Sequence, residues 1–147
     1  MQIRSVPYTD ILVFRQQVLK PDFSLQECVN PGDLRVDTFH YAAFIDDKLV
    51  GCASFEYEKH PDLPGQQVYR LRGMAADPSF RRQGIGRSLV LAGEDKIRSL
   101  GGDLLWFNAR VMAFAFYQSL GFQFFGEEFT IPRIGPHKLM YKVISAF

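Results

Sequence analysis

The chain has 147 residues, 47% of them hydrophobic and 22% charged, with 17 Lys and Arg against 16 Asp and Glu for a net charge of +1. That length suits one domain with one substantial core, and the charge balance excludes a nucleic-acid binder relying on a broad basic face. Two cysteines give neither a disulfide framework nor metal-ligand spacing, and no run of about 18 apolar residues could span a bilayer. No charged start followed by an apolar stretch marks a signal peptide. The expectation is a single cytoplasmic domain over residues 1–147, with no metal, no nucleic acid and no membrane partner.

In chain order, residues 2–6 read as a short strand. From Asp10 to Leu19, apolar residues at 11, 12, 14, 18 and 19 make a helical stripe that Pro21 terminates. Ser24 to Val29 has helical potential with Ser24 as N-cap, before Asn30-Pro31-Gly32-Asp33 forces a turn. His40 to Ile45 and Leu49 to Tyr57 form a hairpin across Asp46-Asp47-Lys48, with Cys52 a small core residue in its second strand. After an irregular loop, Gln67 begins a strand that ends at Asp77-Pro78. A basic, glycine-punctuated turn then opens an amphipathic helix closed by Gly101-Gly102. The stripe Leu89, Ala92, Gly93, Ile97 and Leu100 continues from Ile85 and is assigned to the sheet-facing side. Residues 103–109 are a buried strand and 111–120 a short helix with Ala113, Phe116, Tyr117 and Leu120 at helical spacing, closed by Gly121. Two strands separated by Pro132-Arg133-Ile134-Gly135-Pro136 complete the chain. The order β-α-α-β-β-β-α-β-α-β-β predicts an α+β fold, with a mixed, mostly antiparallel sheet of about seven strands and helices on both faces.

The turn at 81–88 carries the chemistry. A helix start leaves about four backbone N–H groups without partners, and its dipole adds roughly half a positive charge. Glycines at 84 and 86, flanked by Arg81, Arg82 and Arg87, let an anion such as a phosphate approach that backbone. Two familiar glycine loops are poor matches. No Gly-x-x-x-x-Gly-Lys-Ser/Thr run exists, and a dinucleotide fingerprint fails because Leu89 stands where its third glycine belongs. Asp103 precedes its strand, where a ribose-binding acid follows one, so an NAD- or FAD-dependent oxidoreductase is the weakest alternative.

The run Arg81-Arg82-Gln83-Gly84-Ile85-Gly86 resembles the acyl-CoA pyrophosphate loop of the GNAT superfamily of N-acetyltransferases. Met74-Ala75-Ala76-Asp77-Pro78 is similar to that family's central strand end. Asn108-Ala109-Arg110, followed by Tyr117-Gln118-Ser119-Leu120-Gly121-Phe122, resembles its second cofactor segment. The resemblance spans residues 67–125 in motif and nearly the whole chain in element order. It implies a GNAT-like three-layer fold and transfer of an acyl group, most often acetyl from acetyl-CoA, to an amine acceptor. It also implies that backbone N–H groups from Arg82 through Gln83, Gly84, Ile85, Gly86 and Arg87 to Ser88 cradle the pyrophosphate, with Arg81 and Arg87 as charge partners. Main-chain groups of Met74, Ala75 and Ala76 then hold the pantetheine arm and polarise the thioester carbonyl.

The resemblance implies that Tyr117 lies near the thioester sulfur and protonates the departing thiolate as general acid; on spacing alone it is a core aromatic. Asn108 either N-caps the next helix or bonds the pantetheine arm. Arg110 stands where the family pattern has asparagine, and either reaches a phosphate or is exposed. A base on the central strand is missing, since Arg70 and Arg72 occupy it and are either acceptor-facing or solvated. That leaves Glu56 and Glu58, two apart on the neighbouring strand, and His137, in a turn before the last strand, as candidate bases. Neither cysteine lies in a nucleophile setting, so direct attack in a ternary complex is expected. The rival reading is a non-catalytic CoA-binding module. Family analogy also raises a homodimer through the aromatic C-terminal strands.

Overall fold

The structure, a computed structural model, describes residues 1–80 and 82–145. Seven strands form a mixed sheet in the order β1-β2-β3-β4-β5-β7-β6. They are β1 (Gln2–Val6), β2 (Phe39–Ile45), β3 (Lys48–Tyr57), β4 (Val68–Ala76), β5 (Leu104–Arg110), β6 (Gln123–Ile131) and β7 (Gly135–Val143). Three α-helices accompany them: α1 (Leu12–Leu19), α2 (Ile85–Ser99) and α3 (Phe114–Ser119). The expected α+β class and mixed seven-stranded sheet are therefore present. The second predicted helix is not: only a 3-10 turn forms at Gln26–Cys28. Ser24 and Glu27 do bond reciprocally as a capping box, Glu27 N–H to Ser24 Oγ at 3.2 Å and Ser24 N–H to Glu27 Oε1 at 3.0 Å. The six-residue window before Pro31 is too short to repay helix nucleation.

The chain divides into two compact units, one of Met1–Tyr57 with Leu71–Lys96, the other of Glu58–Arg70 and the chain from Ile97 onward. In the first, β1 pairs antiparallel with β2 and β2 with β3. The β2–β3 turn places Asp46 and Asp47 at φ 49° and 62°, the double left-handed geometry of a two-residue hairpin. Ile11, Ala42, Cys52 and Ala75 form its core, with Val6, Phe14, Val18, Leu19, Phe44 and Leu49 packed around them. Helix α2 approaches the sheet closely because glycines make room. A Cβ on Gly51 would lie 2.5 Å from Ile85 Cγ2, and one on Gly93 would enter the Phe55 ring at 2.1 Å.

In the second unit, β4 and β5 pair parallel from Val68–Leu104 to Arg70–Trp106, and β7 pairs antiparallel with β5 and β6. Leu63, Val68, Leu104, Trp106 and Leu139 form its core. Asp103, considered above as a ribose ligand, instead braces a loop, accepting from the N–H groups of Gln66 and Gln67 at 2.9 and 3.2 Å. Leu100 does not face the sheet; it is 47% exposed. The helix ends one residue earlier, and its closure turns Leu100 outward: Gly101 N–H bonds Arg98 O and Gly102 N–H bonds Ile97 O, with Gly101 at φ 79°.

The same closure explains the Tyr-x-x-Leu-Gly-Phe segment. Gly121 N–H bonds Gln118 O at 3.0 Å and Phe122 N–H bonds Tyr117 O at 3.1 Å, with Gly121 at φ 95°. The Tyr117 and Phe122 rings meet at 5.9 Å, the apolar contact that accompanies such a cap. Glycine is required at 121 because a side chain there is strained. Gly121→Ala is expected to lower unfolding free energy by about 1–2 kcal/mol, read as a lower denaturant midpoint at unchanged slope.

Candidate active site

The first unit holds the turn expected above to cradle an anion. Strand β4 stops where Asp77 N–H bonds Val50 O at 2.8 Å, and Asp77 Oδ1 accepts from Ser79 N–H at 2.9 Å to begin a 3-10 turn. That backbone bond, with a smaller contribution from Lys48, holds the Asp77 carboxyl below its ordinary value. The chain then enters α2 through Arg82 and Gly84, at φ 64° and 73°. Ser88 N–H to Gly84 O, 2.9 Å, is the first helical bond, so the amides of Ile85, Gly86 and Arg87 have no intrahelical acceptor.

Arg82, Gln83, Gly84 and Arg87 are exposed, Gly86 and Ser88 are half-buried, and Ile85 is buried as the anchor beneath the turn. Among the described residues, a Cβ on Gly84 would meet nothing within 4 Å. Arg81 lies outside the described residues. The arrangement fits a pyrophosphate: amides without intrahelical acceptors at a positive helix end. Immediately upstream, Met74 and Ala76 are half-buried and Ala75 is buried. Gly73 just before them takes φ 61°, a kink inside β4. The lone glycine in Leu71-Arg72-Gly73-Met74 is the sequence signal for that kink, which the strand reading passed over.

Both cysteines are buried and free. Burial pushes the Cys52 thiol up to about 12, which leaves it protonated and inert as a nucleophile at neutral pH. Glu56, a candidate base, is buried; its Oε1 accepts from Arg72 Nε at 2.6 Å and its Oε2 lies under Gly32. Arg72 is therefore ion-paired rather than simply solvated.

The second unit holds the remaining candidates. Arg70 donates to Glu58 Oε2 at 2.7 Å and lies over the Trp106 ring at 4.5 Å, so it too is engaged. Tyr117 is 6% exposed, its ring 4.2 Å from Phe107 and 5.0 Å from Phe116. Burial holds its phenol well above the ordinary tyrosine value, so it stays protonated across the neutral range. Asn108 is half-buried within β5 opposite Leu139 and caps no helix: the N-cap of α3 is Ala113. Arg110 ends β5 opposite His137 and is half-buried.

His137 is not in a turn. It is a buried residue of β7, between Arg110 on β5 and Phe129 on β6, with its ring stacked on Phe129 at 6.1 Å. Its Nδ1–H donates to Gly135 O at 2.8 Å, which places the lone pair of the neutral ring on Nε2. Among the described residues, no group of three His, Cys, Asp or Glu side chains could hold a metal ion.

Comparison with known proteins bears on the cradle and the tyrosine segment together. The family model described as the Acetyltransferase (GNAT) family matches residues 7–122, taking in both. The chain belongs to the GNAT acetyltransferase family. The uncharacterized N-acetyltransferase YitI of Bacillus subtilis (strain 168) is 34% identical over 144 residues, covering 98% of this chain and 97% of the relative.

Two of the many solved structures that share the fold illustrate it. The ribosomal-protein-S18-alanine N-acetyltransferase from Escherichia coli has a TM-score of 0.76 at 22% identity, over 99% of this chain and 95% of that one. An aminoglycoside 6'-N-acetyltransferase complexed with coenzyme A has a TM-score of 0.74 at 17% identity, over 100% and 99%. As a member of the GNAT family, the protein is an acyl-CoA-dependent N-acetyltransferase that uses acetyl-CoA and an amine-bearing acceptor.

Proposed function

We propose that the protein transfers acetyl from acetyl-CoA to a primary amine by direct attack in a ternary complex. The observation that carries the cofactor part is the opening of α2, where Gly84 at φ 73° leaves the helix-start amides accessible. In this reading those amides with Arg82, Gln83, Arg87 and Ser88 hold the pyrophosphate, and the main chain of Met74–Ala76 holds the pantetheine arm and polarises the acyl carbonyl. Asn108 is assigned to the pantetheine arm and Arg110 to a phosphate.

Tyr117 protonates the departing thiolate. His137 Nε2 is assigned the amine proton, because Glu56 already binds Arg72 through Oε1. Direct attack is supported by the burial of both cysteines, which pushes the Cys52 thiol up to about 12. The reading includes a cytoplasmic location. It also includes a homodimer through the edge strand β6, on which Phe125 and Phe129 are 37% and 39% exposed.

The test is release of CoA thiol from acetyl-CoA against a panel of amines: polyamines, amino acids, aminoglycosides and peptide N-termini. Turnover with at least one amine, and thermal stabilisation by CoA but not by NAD or FAD, are expected. Stabilisation by CoA without turnover of any amine overturns the transfer reading.

A further inference from the structure

The first unit buries a connected set of polar groups that the chemistry above does not use. Arg15 on α1 is 2% exposed, Asp33 5%, His40 on β2 5% and Ser54 on β3 2%. Four terminal N–H directions of the Arg15 guanidinium are matched. Nη1 donates to Cys28 O at 2.8 Å and Asp33 Oδ2 at 2.7 Å; Nη2 donates to Asp33 Oδ1 at 3.2 Å and Ser54 Oγ at 2.9 Å.

The rest of the network has one consistent polarity. Asp33 O can only accept, so His40 Nε2–H donates to it at 3.2 Å. His40 Nδ1 then accepts the Ser54 hydroxyl proton at 2.7 Å, and Ser54 Oγ keeps a lone pair for Arg15. Burial, the largest influence on it, holds His40 below the ordinary imidazole range, in keeping with a neutral ring. Although serine, histidine and aspartate are close together, they are no hydrolytic triad. A backbone carbonyl takes the ring N–H, the serine oxygen is bound by a cation, and all three are buried.

The fifth donor, Arg15 Nε, is buried with no hydrogen-bond partner among the described residues. It lies close to Gly73: a Cβ there would be 2.7 Å from Nε, 3.3 Å from Cδ and 3.4 Å from Cζ. Gly73 is the residue at φ 61° directly before Met74, and its carbonyl accepts from the Cys52 thiol at 3.5 Å. One guanidinium thus braces the β4 kink on one side. On the other it ties down the 28–38 segment through Cys28 O and Asp33, whose carboxylate also accepts from Asn30 N–H at 2.7 Å.

From this we propose that Arg15, held by Asp33, is a positioning residue for acetyl transfer. It sets the backbone kink at Gly73 that aims the Met74–Ala76 main chain, and couples that strand end to the 28–38 loop. The inference rests on the proposed role of Met74–Ala76. A full fork of four bonds is what makes arginine the residue for this place; lysine has one nitrogen and cannot bond Cys28 O, both Asp33 oxygens and Ser54 while packing on Gly73.

The test is a cycle of Arg15→Lys, Gly73→Ala and the double variant, in the full chain. Each single variant is expected to lower kcat about 10- to 100-fold with KM for acetyl-CoA within about twofold, as misplacement of positioned groups does. The double variant is expected to lose much less than the product of the two, because both act on one contact. A folded Arg15→Lys protein with wild-type kcat, or a fully multiplicative loss, overturns the proposal.

Amide hydrogen exchange supplies a readout independent of activity. In Arg15→Lys, exchange at Met74–Ala76 and at residues 29–38 is expected to quicken together; quickening in only one segment overturns the coupling. Should Arg15→Lys not fold, Ser54→Ala, which removes one acceptor and leaves the ion pair, takes its place in both measurements. If the wild type acetylates no amine, the transfer reading fails while the exchange experiment still decides whether Arg15 links strand and loop.

Discussion

Gly86→Asp is expected to lower acetyl-CoA affinity by at least about 100-fold while leaving the folded protein as stable as before or slightly more so. The two effects have opposite signs for a physical reason. Residue 86 is the second residue of α2, where a carboxylate interacts favourably with the helix dipole by about 0.3–1 kcal/mol. Aspartate is also a better helix residue than glycine by a few tenths of a kcal/mol. Neither change touches the buried anchors Ile85 and Leu89.

The bound pyrophosphate meets the same carboxylate as a like charge. At about 5 Å and an effective dielectric of about 20, Coulomb's law gives about 3 kcal/mol per pair of unit charges, or roughly 150-fold in affinity. Full aqueous screening would reduce that to under about 1 kcal/mol, but Gly86 is half-buried and a ligand covering the turn excludes more water. Titration calorimetry with acetyl-CoA and a thermal melt of the same sample read both halves. Normal affinity in the variant removes the helix-start amides from the cofactor site. A lost affinity accompanied by a much lower melting temperature would mean that the glycine serves the turn rather than the ligand.

How much of this could be read from the residues alone depends on where each signal lies. The strand limits and the closures of α2 and α3 were legible because turn residues mark them: Asp46-Asp47, Gly101-Gly102 and Gly121 all sit at left-handed positions or beside them. The glycine-opened start of α2 was legible too, because its residues are consecutive along the chain. What escaped were features whose cause is far away in sequence. His137 looks like a loop histidine after Pro136, yet its neighbours Arg110 and Phe129 come from two other strands and bury it. Arg15 lies within the first helical stretch, where no motif marks it. Its acceptors lie 13 to 39 residues away, and nothing local announces them. The missing helix after Ser24 is the reverse case: the cap was real, but the segment behind it was too short. Leu100 was misassigned because periodicity does not show where a helix unwinds.

Tyr117→Phe is expected to lower kcat about 10- to 100-fold, the lower part of the range for general acid catalysis, with KM for acetyl-CoA within about twofold. The substitution removes one oxygen and keeps the ring against Phe107, Phe116 and Phe122, so the Tyr117–Phe122 closure of α3 survives. The effect falls short of the largest known because the donor is a poor acid here. Burial holds the phenol above its ordinary value, while a thiolate in water takes up a proton at about 8.5. In the proposed mechanism, transfer becomes favourable as charge develops on a sulfur that shares those apolar surroundings, where an unprotonated thiolate is also disfavoured.

The raised value has a second consequence with a fixed sign. Above the unfolded value of 10.0 the unfolded chain gives up the tyrosine proton while the folded protein keeps it. Stability therefore falls as pH rises past 10.0, and is unaffected by this group below it. Tyr117→Phe is expected to flatten that alkaline decline, leaving the smaller part due to Tyr41, which burial also raises. Single-turnover rates at neutral pH and melts between neutral pH and the alkaline limb separate the two roles. An unchanged chemical rate combined with a flattened alkaline limb would make Tyr117 a core aromatic and leave the thiolate to be protonated by another group.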